Sequence, residues 1–217
     1  MSDTLEKQWN EATKDFSKSV ADEWWTKILK KYSEDGRNYH NIQHLEEKLE
    51  HLNSVKQVLK NPDAVVLAII FHYYEYDPKA VDCVEKNCEH FNKFADESGI
   101  PKESELHSTV LELLQAATTH STDAHKTDGQ YGSNDLHFFL DIDMAVLGSE
   151  PEHYLDHIAK VQQEYAFLPE TIYNNLRLKV LQSFLQIPNI FATKEFRDKF
   201  ESQARTNIQK EVEKLKH

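Results

Sequence analysis

Apolar positions recur along most of this chain at intervals of three and four. Leu5, Trp9, Ala12, Phe16, Val20, Trp24, Ile28 and Tyr32 mark one face of a helix, or of two helices end to end, and Ser33-Glu34-Asp35-Gly36 stops it with turn residues. The period resumes at Ile42, Leu45, Leu49, Leu52 and Val55. That register places His40 at a helix entrance and His44 in the opening turns. Asn61-Pro62-Asp63 then carries a helix start: a capping side chain, a proline at the first helical position, and an acid beside the positive end of the dipole. Ala64 to Phe71 is apolar on every face and reads as a central, surrounded helix. Its β-branched residues leave a strand open, but the start signal outweighs them. His72 falls near the end of this helix, and Asp77-Pro78 closes the segment.

Helices are further predicted over 80–97, 103–119, 135–147, 151–166, 170–186 and 194–215. Ser121 to Asn134 is polar, holds Gly129 and Gly132, and reads as a loop of the length found in lids or disordered connections. The last helix interleaves Glu201, Arg205, Lys210, Glu211 and Lys214, the mark of a solvated packing element. No internal repeat, low-complexity tract or linker interrupts the pattern. One domain over 1–217 is therefore expected, with an N-terminal helical segment at 1–35 and a C-terminal helix within 190–217 packed on the same core.

Composition narrows this picture. Five glycines and six prolines in 217 residues are too few for a many-stranded fold, which leaves an all-α chain. A formal charge of −12 argues against broad nucleic-acid binding, which needs phosphate neutralisation. It leaves small phosphorylated ligands open, because a bound metal can supply positive charge locally. Cys83 and Cys88 lack the Cys-x-x-Cys spacing and read as free thiols of a reducing compartment. No apolar signal core opens the chain, and no apolar run reaches about 18 residues. A cytoplasmic protein with no membrane contact is expected.

The candidate chemistry lies in a few polar residues within apolar frames. On a helix, His40 and His44 would share a face, where two imidazoles can hold a metal together, or one can bind metal while the other moves a proton. Two polar surface residues are the plainer reading of the same pair. His72, at the end of the apolar helix, suits either a metal site or a hydrogen-bonded core position. Asp141 and Asp143 sit in an apolar helix, where a buried carboxylate needs a metal or an arginine such as Arg177 or Arg205. They point about 200° apart, so one of them enters any shared site. His120 opens the polar loop, placed either to contact a phosphate or a second metal, or to interact with the helix end.

Taken together these residues resemble the HD-domain superfamily of metal-dependent phosphohydrolases. Its ligands are a histidine, a His-Asp pair and a distant aspartate from different helices; His44, His72 and Asp143 match three of the four. The string Tyr39-His40-Asn41-Ile42-Gln43-His44 is also similar to the opening motif of cyclic-nucleotide phosphodiesterases. The nearer resemblance is to a small-protein branch of predicted HD phosphohydrolases, carried by that string, Phe71-His72 with Tyr76-Asp77-Pro78, Leu140 to Gly148, and Ala204-Arg205-Thr206-Asn207. It runs from about residue 20 to 212. It implies a single all-helical HD-like bundle and a divalent ion (Mg, Mn, Fe, Co, Ni or Zn) on His44, His72 and Asp143. His40 would protonate the leaving oxygen, and His120 would steady the phosphate of a small phosphoester or nucleotide.

The chain departs from the pattern where chemistry is concentrated. Tyr73 stands where the family has the aspartate of the His-Asp pair. A neutral phenol is a poor ligand for hard cations, so one ion rather than two is expected. Glu75, Asp77 and Asp141 are the acids available as substitutes or supporting groups. Gln162-Gln163-Glu164-Tyr165 replaces the family's Arg-Arg-Glu-Tyr, and Asp82-Cys83-Val84-Glu85 its Asp-Asn-Glu-Glu. Two functions follow as expectations: a metal-dependent phosphohydrolase, or a non-catalytic HD-like protein that binds a ligand or partner.

Overall fold

The computed structural model describes residues 3–119 and 121–217, and among them the secondary structure is entirely helical. The chain divides into two compact units, residues 1–120 and 121–217.

The first unit begins with α1 (Asp3–Thr13) and α2 (Lys18–Tyr32), so the long N-terminal apolar face belongs to two helices. The break lies at Ser17, whose hydroxyl accepts from the Val20 amide and caps α2. Then come α3 (Ile42–Val55), α4 (Pro62–His72), α5 (Cys83–Ser98) and α6 (Glu105–Ala116). Asn61 caps α4 through the Ala64 amide at 3.1 Å, as its Asn-Pro-Asp start predicts. Every residue of α4 from Ala64 to His72 is buried, with α1, α3, α5 and α6 packed around it. Its all-round apolarity has this cause.

An aromatic cluster fastens the surrounding helices to α4. Trp9, Trp24 and Phe71 all meet the Phe94 ring, with centroids 5.1, 5.7 and 5.6 Å away. The polar edges of the cluster are satisfied as burial requires. Trp9 donates to the Ala21 carbonyl at 3.0 Å, Trp24 to Glu97 at 2.7 Å, and the Tyr32 hydroxyl to the Ile70 carbonyl at 2.6 Å.

The second unit contains a short α7 (Asp123–Lys126), α8 (Asp135–Met144), α9 (Pro151–Glu164), α10 (Glu170–Gln186) and α11 (Lys194–Leu215). The predicted 135–147 helix ends early, because residues 145–148 tighten into a 3₁₀ turn that lies against α11. The polar stretch 121–134 is a tethered segment that contains α7. Asn189 donates to the carbonyls of Ala124 and Thr127 at 2.8 and 2.9 Å, and Arg197 donates to that of Gln130 at 2.7 Å. Burial lowers the His125 pKa to about 4, so its ring is neutral and accepts from the Thr122 amide at 2.9 Å.

Gly148 is demanded by close packing. A Cβ there would lie 2.6 Å from both the Phe200 Cβ and its carbonyl oxygen, and backbone cannot swing aside. Gly148→Ala is expected to cost about 1–3 kcal/mol, the usual range for overpacking, read as a lower urea midpoint at an unchanged slope. A midpoint equal to that of the parent would show that α11 relaxes freely.

No helix among the described residues is long and apolar enough to cross a membrane.

Candidate functional site

In the first unit, the end of α4 and the entrance to α3 bring the histidine motif and the His72-Tyr73 pair together. Asn41 caps α3 by accepting from the His44 amide at 3.2 Å, which puts His44 in the first turn. His40 precedes the helix, so the two imidazoles do not share a helical face as the spacing suggested. The bend at 38–41 still brings them close, with ring centroids 5.2 Å apart and nearly perpendicular. His44 is buried and His40 half-buried.

Tyr73 is the hub of this cluster. Its ring stacks on His72 with centroids 4.0 Å apart, and it lies 4.4 Å from His40 and 5.7 Å from His44. Tyr76 stacks on His40 at 4.1 Å, and Tyr39 meets His44 at 4.4 Å. The Lys48 ammonium lies 4.8 Å from the Tyr73 centroid. Lys48 is only 3% exposed, which is unusual for lysine.

Two further residues hold this geometry. Arg37, buried, donates to the carbonyls of His40, Tyr73 and Tyr74 at 3.2, 2.6 and 2.6 Å, tying the two histidine-bearing segments together. Asn87 on α5 donates to the carbonyls of His72 and Glu75 at 2.7 and 3.2 Å and accepts from the Glu75 amide at 2.7 Å. Neither residue was foreseen, nor was Lys48. Lys48 did have a signal: it falls within the apolar stripe of Leu45, Leu49 and Leu52.

Two acids expected to stand in for the missing aspartate are engaged in other tasks. Glu75 binds Lys31 at 3.0 Å and His90 at 2.9 Å. Burial opposes its ionisation, but its contacts with Lys31 and His90 outweigh that and hold the carboxyl below the ordinary range. Asp77 is exposed and accepts from the Lys79 amide at 2.9 Å within a turn.

Asp141 and Asp143 lie on α8 in the second unit, and both are buried. Asp141 is held by hydrogen-bond donors: it accepts from the amides of Ala192 and Thr193 at 2.9 and 2.8 Å and from the Thr193 hydroxyl at 2.7 Å. Arg177 pairs with Glu211, and Arg205 with Glu201. Asp143, 8% exposed, sits one residue before the end of α8. His120 lies outside the described residues.

A metal centre of the kind the resemblance implies needs ionised carboxylates beside neutral imidazoles. The first unit offers two buried imidazoles, a phenol and an ammonium, while its nearby acids Glu75 and Asp77 are engaged elsewhere. Glu75 and Asp77 therefore do not supply the carboxylate that such a centre needs. Among the described residues, no group of three or more His, Cys, Asp or Glu side chains is placed to hold a metal ion. Chemically, the first unit's cluster presents aromatic faces to a flat ligand, and imidazole and ammonium donors to an anionic one. No family model matches the chain, and no curated protein or solved structure matches it.

Proposed function

We propose that this protein binds a small phosphorylated molecule or nucleotide at the His40–His44–Tyr73 cluster and does not hydrolyse it. One observation carries this reading: at the position of the His-Asp aspartate stands Tyr73, a phenol stacked on His72, with the Lys48 ammonium over the same ring. Hydrolysis of a phosphoester by a metal-bound hydroxide needs a cation held by anionic ligands to lower the pKa of its water. Phosphate recognition needs only hydrogen-bond donors and positive charge, and the His40 and His44 imidazoles and the Lys48 ammonium all lie around the Tyr73 ring.

The competing reading is the metal-dependent phosphohydrolase that the resemblance implies. It is favoured by the approach of His40 and His44 to 5.2 Å, with one imidazole buried and the other half-buried. One experiment separates the two. Purified protein is heated with a panel of nucleotides and phosphomonoesters, and the same panel is assayed for phosphate release with Mg²⁺, Mn²⁺, Fe²⁺, Co²⁺, Ni²⁺ and Zn²⁺. The expected result is stabilisation by at least one ligand, about 2.7 kcal/mol at a hundredfold excess over its Kd, with no turnover. Phosphate release that disappears in His44→Ala would establish the hydrolase. A panel with no stabilising member would end the binding proposal.

A further inference from the structure

A groove of about 630 Å³ runs through the second unit between α9 and α11. Pro151, Tyr154, Leu155 and Ile158 recur at three and four residues on α9 and share the face that makes one wall. The same spacing aligns Asn207, Lys210, Glu211 and Lys214 on α11. Two contacts set the direction. Asn207 donates to the Ser149 carbonyl at 2.8 Å, just before α9 begins, and one turn further on Glu211 accepts from the Tyr154 hydroxyl. The helices therefore pass in the same sense, with Lys214 towards the Ile158 end. α9 packs chiefly on the 3₁₀ turn at 145–148, and its Leu155 side chain stays 48% exposed.

The floor of the groove has little left to offer a polar group. Asn207 also donates to the Leu147 carbonyl at 3.0 Å and accepts from the Gln203 amide at 2.8 Å, and Glu211 is taken by Arg177 and Tyr154. Leu155, Ile158 and the lysine stems leave an apolar surface between these satisfied groups. Unmet charge lies at the rim. Lys210 and Lys214 are exposed, and neither has an ion pair among the described residues. The rim acid, Glu213, takes the Gln209 side-chain amide at 3.2 Å. Two ammoniums thus stand against one carboxylate, in a chain whose net charge is −12.

We propose that this groove binds a free medium-chain carboxylate, its apolar chain along Leu155 and Ile158 and its head group between the Lys210 and Lys214 ammoniums. The volume falls in the range of small-molecule sites, about 300–1,000 Å³. From Pro151 to Ile158 the groove is about 10 Å long at the rise of an α-helix. A partner helix would lay fewer than two turns in it, and a stable protein interface needs about 800 Å² on each side. The dimensions therefore favour a small amphiphile over a helix or a second copy. This site belongs to the second unit and is independent of the nucleotide reading.

The test titrates decanoate, decanol and decyltrimethylammonium into the full chain by calorimetry, at low salt and below the concentrations at which each aggregates. Decanoate should bind at one equivalent, about fivefold or more tighter than decanol, on the scale of two exposed ion contacts. The cationic probe should bind more weakly than either. Lys210→Glu/Lys214→Glu alters only exposed ends and should abolish the preference for decanoate while leaving decanol binding in place. Leu155→Trp fills the groove and should remove both. If Leu155→Trp fails to fold in a thermal melt, the charge-reversed variant decides alone. No decanoate binding overturns the proposal, as does equal affinity for decanol, or decanoate binding that survives either variant unchanged. A parent that sediments as a dimer while Leu155→Trp sediments as a monomer would also overturn it, by giving the groove to a second copy.

Discussion

Asp141→Ala should lower the unfolding free energy by about 3 kcal/mol, measured by urea denaturation at neutral pH. The carboxylate is 0% exposed and accepts from two backbone amides and one hydroxyl where the chain enters α11. Alanine would strand all three donors in the interior, and each stranded donor costs about 1–3 kcal/mol. Part of that loss is recovered because the carboxylate is itself costly to bury. Burial pushes its pKa up to about 7, against the downward pull of the Ala192 and Thr193 donors and of Arg197. The sign of the pH dependence follows. The unfolded chain loses this proton near pH 4 and the folded chain near 7, so raising the pH across that window favours unfolding. The parent's advantage over the isosteric, non-titrating Asp141→Asn should therefore be largest near pH 4 and shrink towards pH 7. A difference that grows over this range would mean that the three donors overcome burial and the native carboxyl is ionised throughout.

Asp141 also shows what the sequence made legible and what it did not. Its burial was readable, because a carboxylate within Phe138-Phe139-Leu140-Asp141-Ile142 has little choice of face. Its partner was not, because the Ala192 and Thr193 amides lie about fifty residues further on and amides leave no trace in composition. Periodicity and caps are local, and they placed helices well. The 170–186 and 194–215 helices agree with α10 and α11, since Pro169 and Thr193 mark their starts. The 80–97 helix begins instead at Cys83, because Asp77 to Asp82 forms a turn and an approach before α5. Glu75 was expected near the site on grounds of sequence distance, yet it pairs with Lys31 and His90, from α2 and α5. The chain's four arginines, Arg37, Arg177, Arg197 and Arg205, all anchor backbone carbonyls or carboxylates. Their scarcity beside twenty-one lysines was itself a signal, since the planar fork suits such fixed contacts better than an ammonium does.

Glu211→Ala should be the most damaging single change in the second unit, at about 3–5 kcal/mol, because it breaks a buried ion pair from one side. Arg177 reaches Glu211 with two nitrogens, at 2.8 and 3.1 Å, and the Tyr154 hydroxyl donates to the same carboxylate. The side chains of Arg177 and Glu211 are 13% and 8% exposed, so water would not replace the lost partner. Glu211→Ala leaves a guanidinium inside the protein with no counter-charge at that contact. Removing both charges is a different matter. In Arg177→Met/Glu211→Leu no ion remains to be desolvated, and most of the stability should return, as is common when apolar residues of similar volume replace a buried pair. The double-mutant cycle in urea should thus show a coupling energy of about 2 kcal/mol or more, above the sub-kcal scatter of independent sites. A double variant as unstable as the sum of its parts would show that the pair holds α10 to α11 by shape rather than by charge. Tyr154→Phe, added to the double variant, should cost little, since its hydrogen-bond acceptor is already gone; added to the parent, it should cost about 1.5–3 kcal/mol, as the loss of a bond to a charged acceptor does.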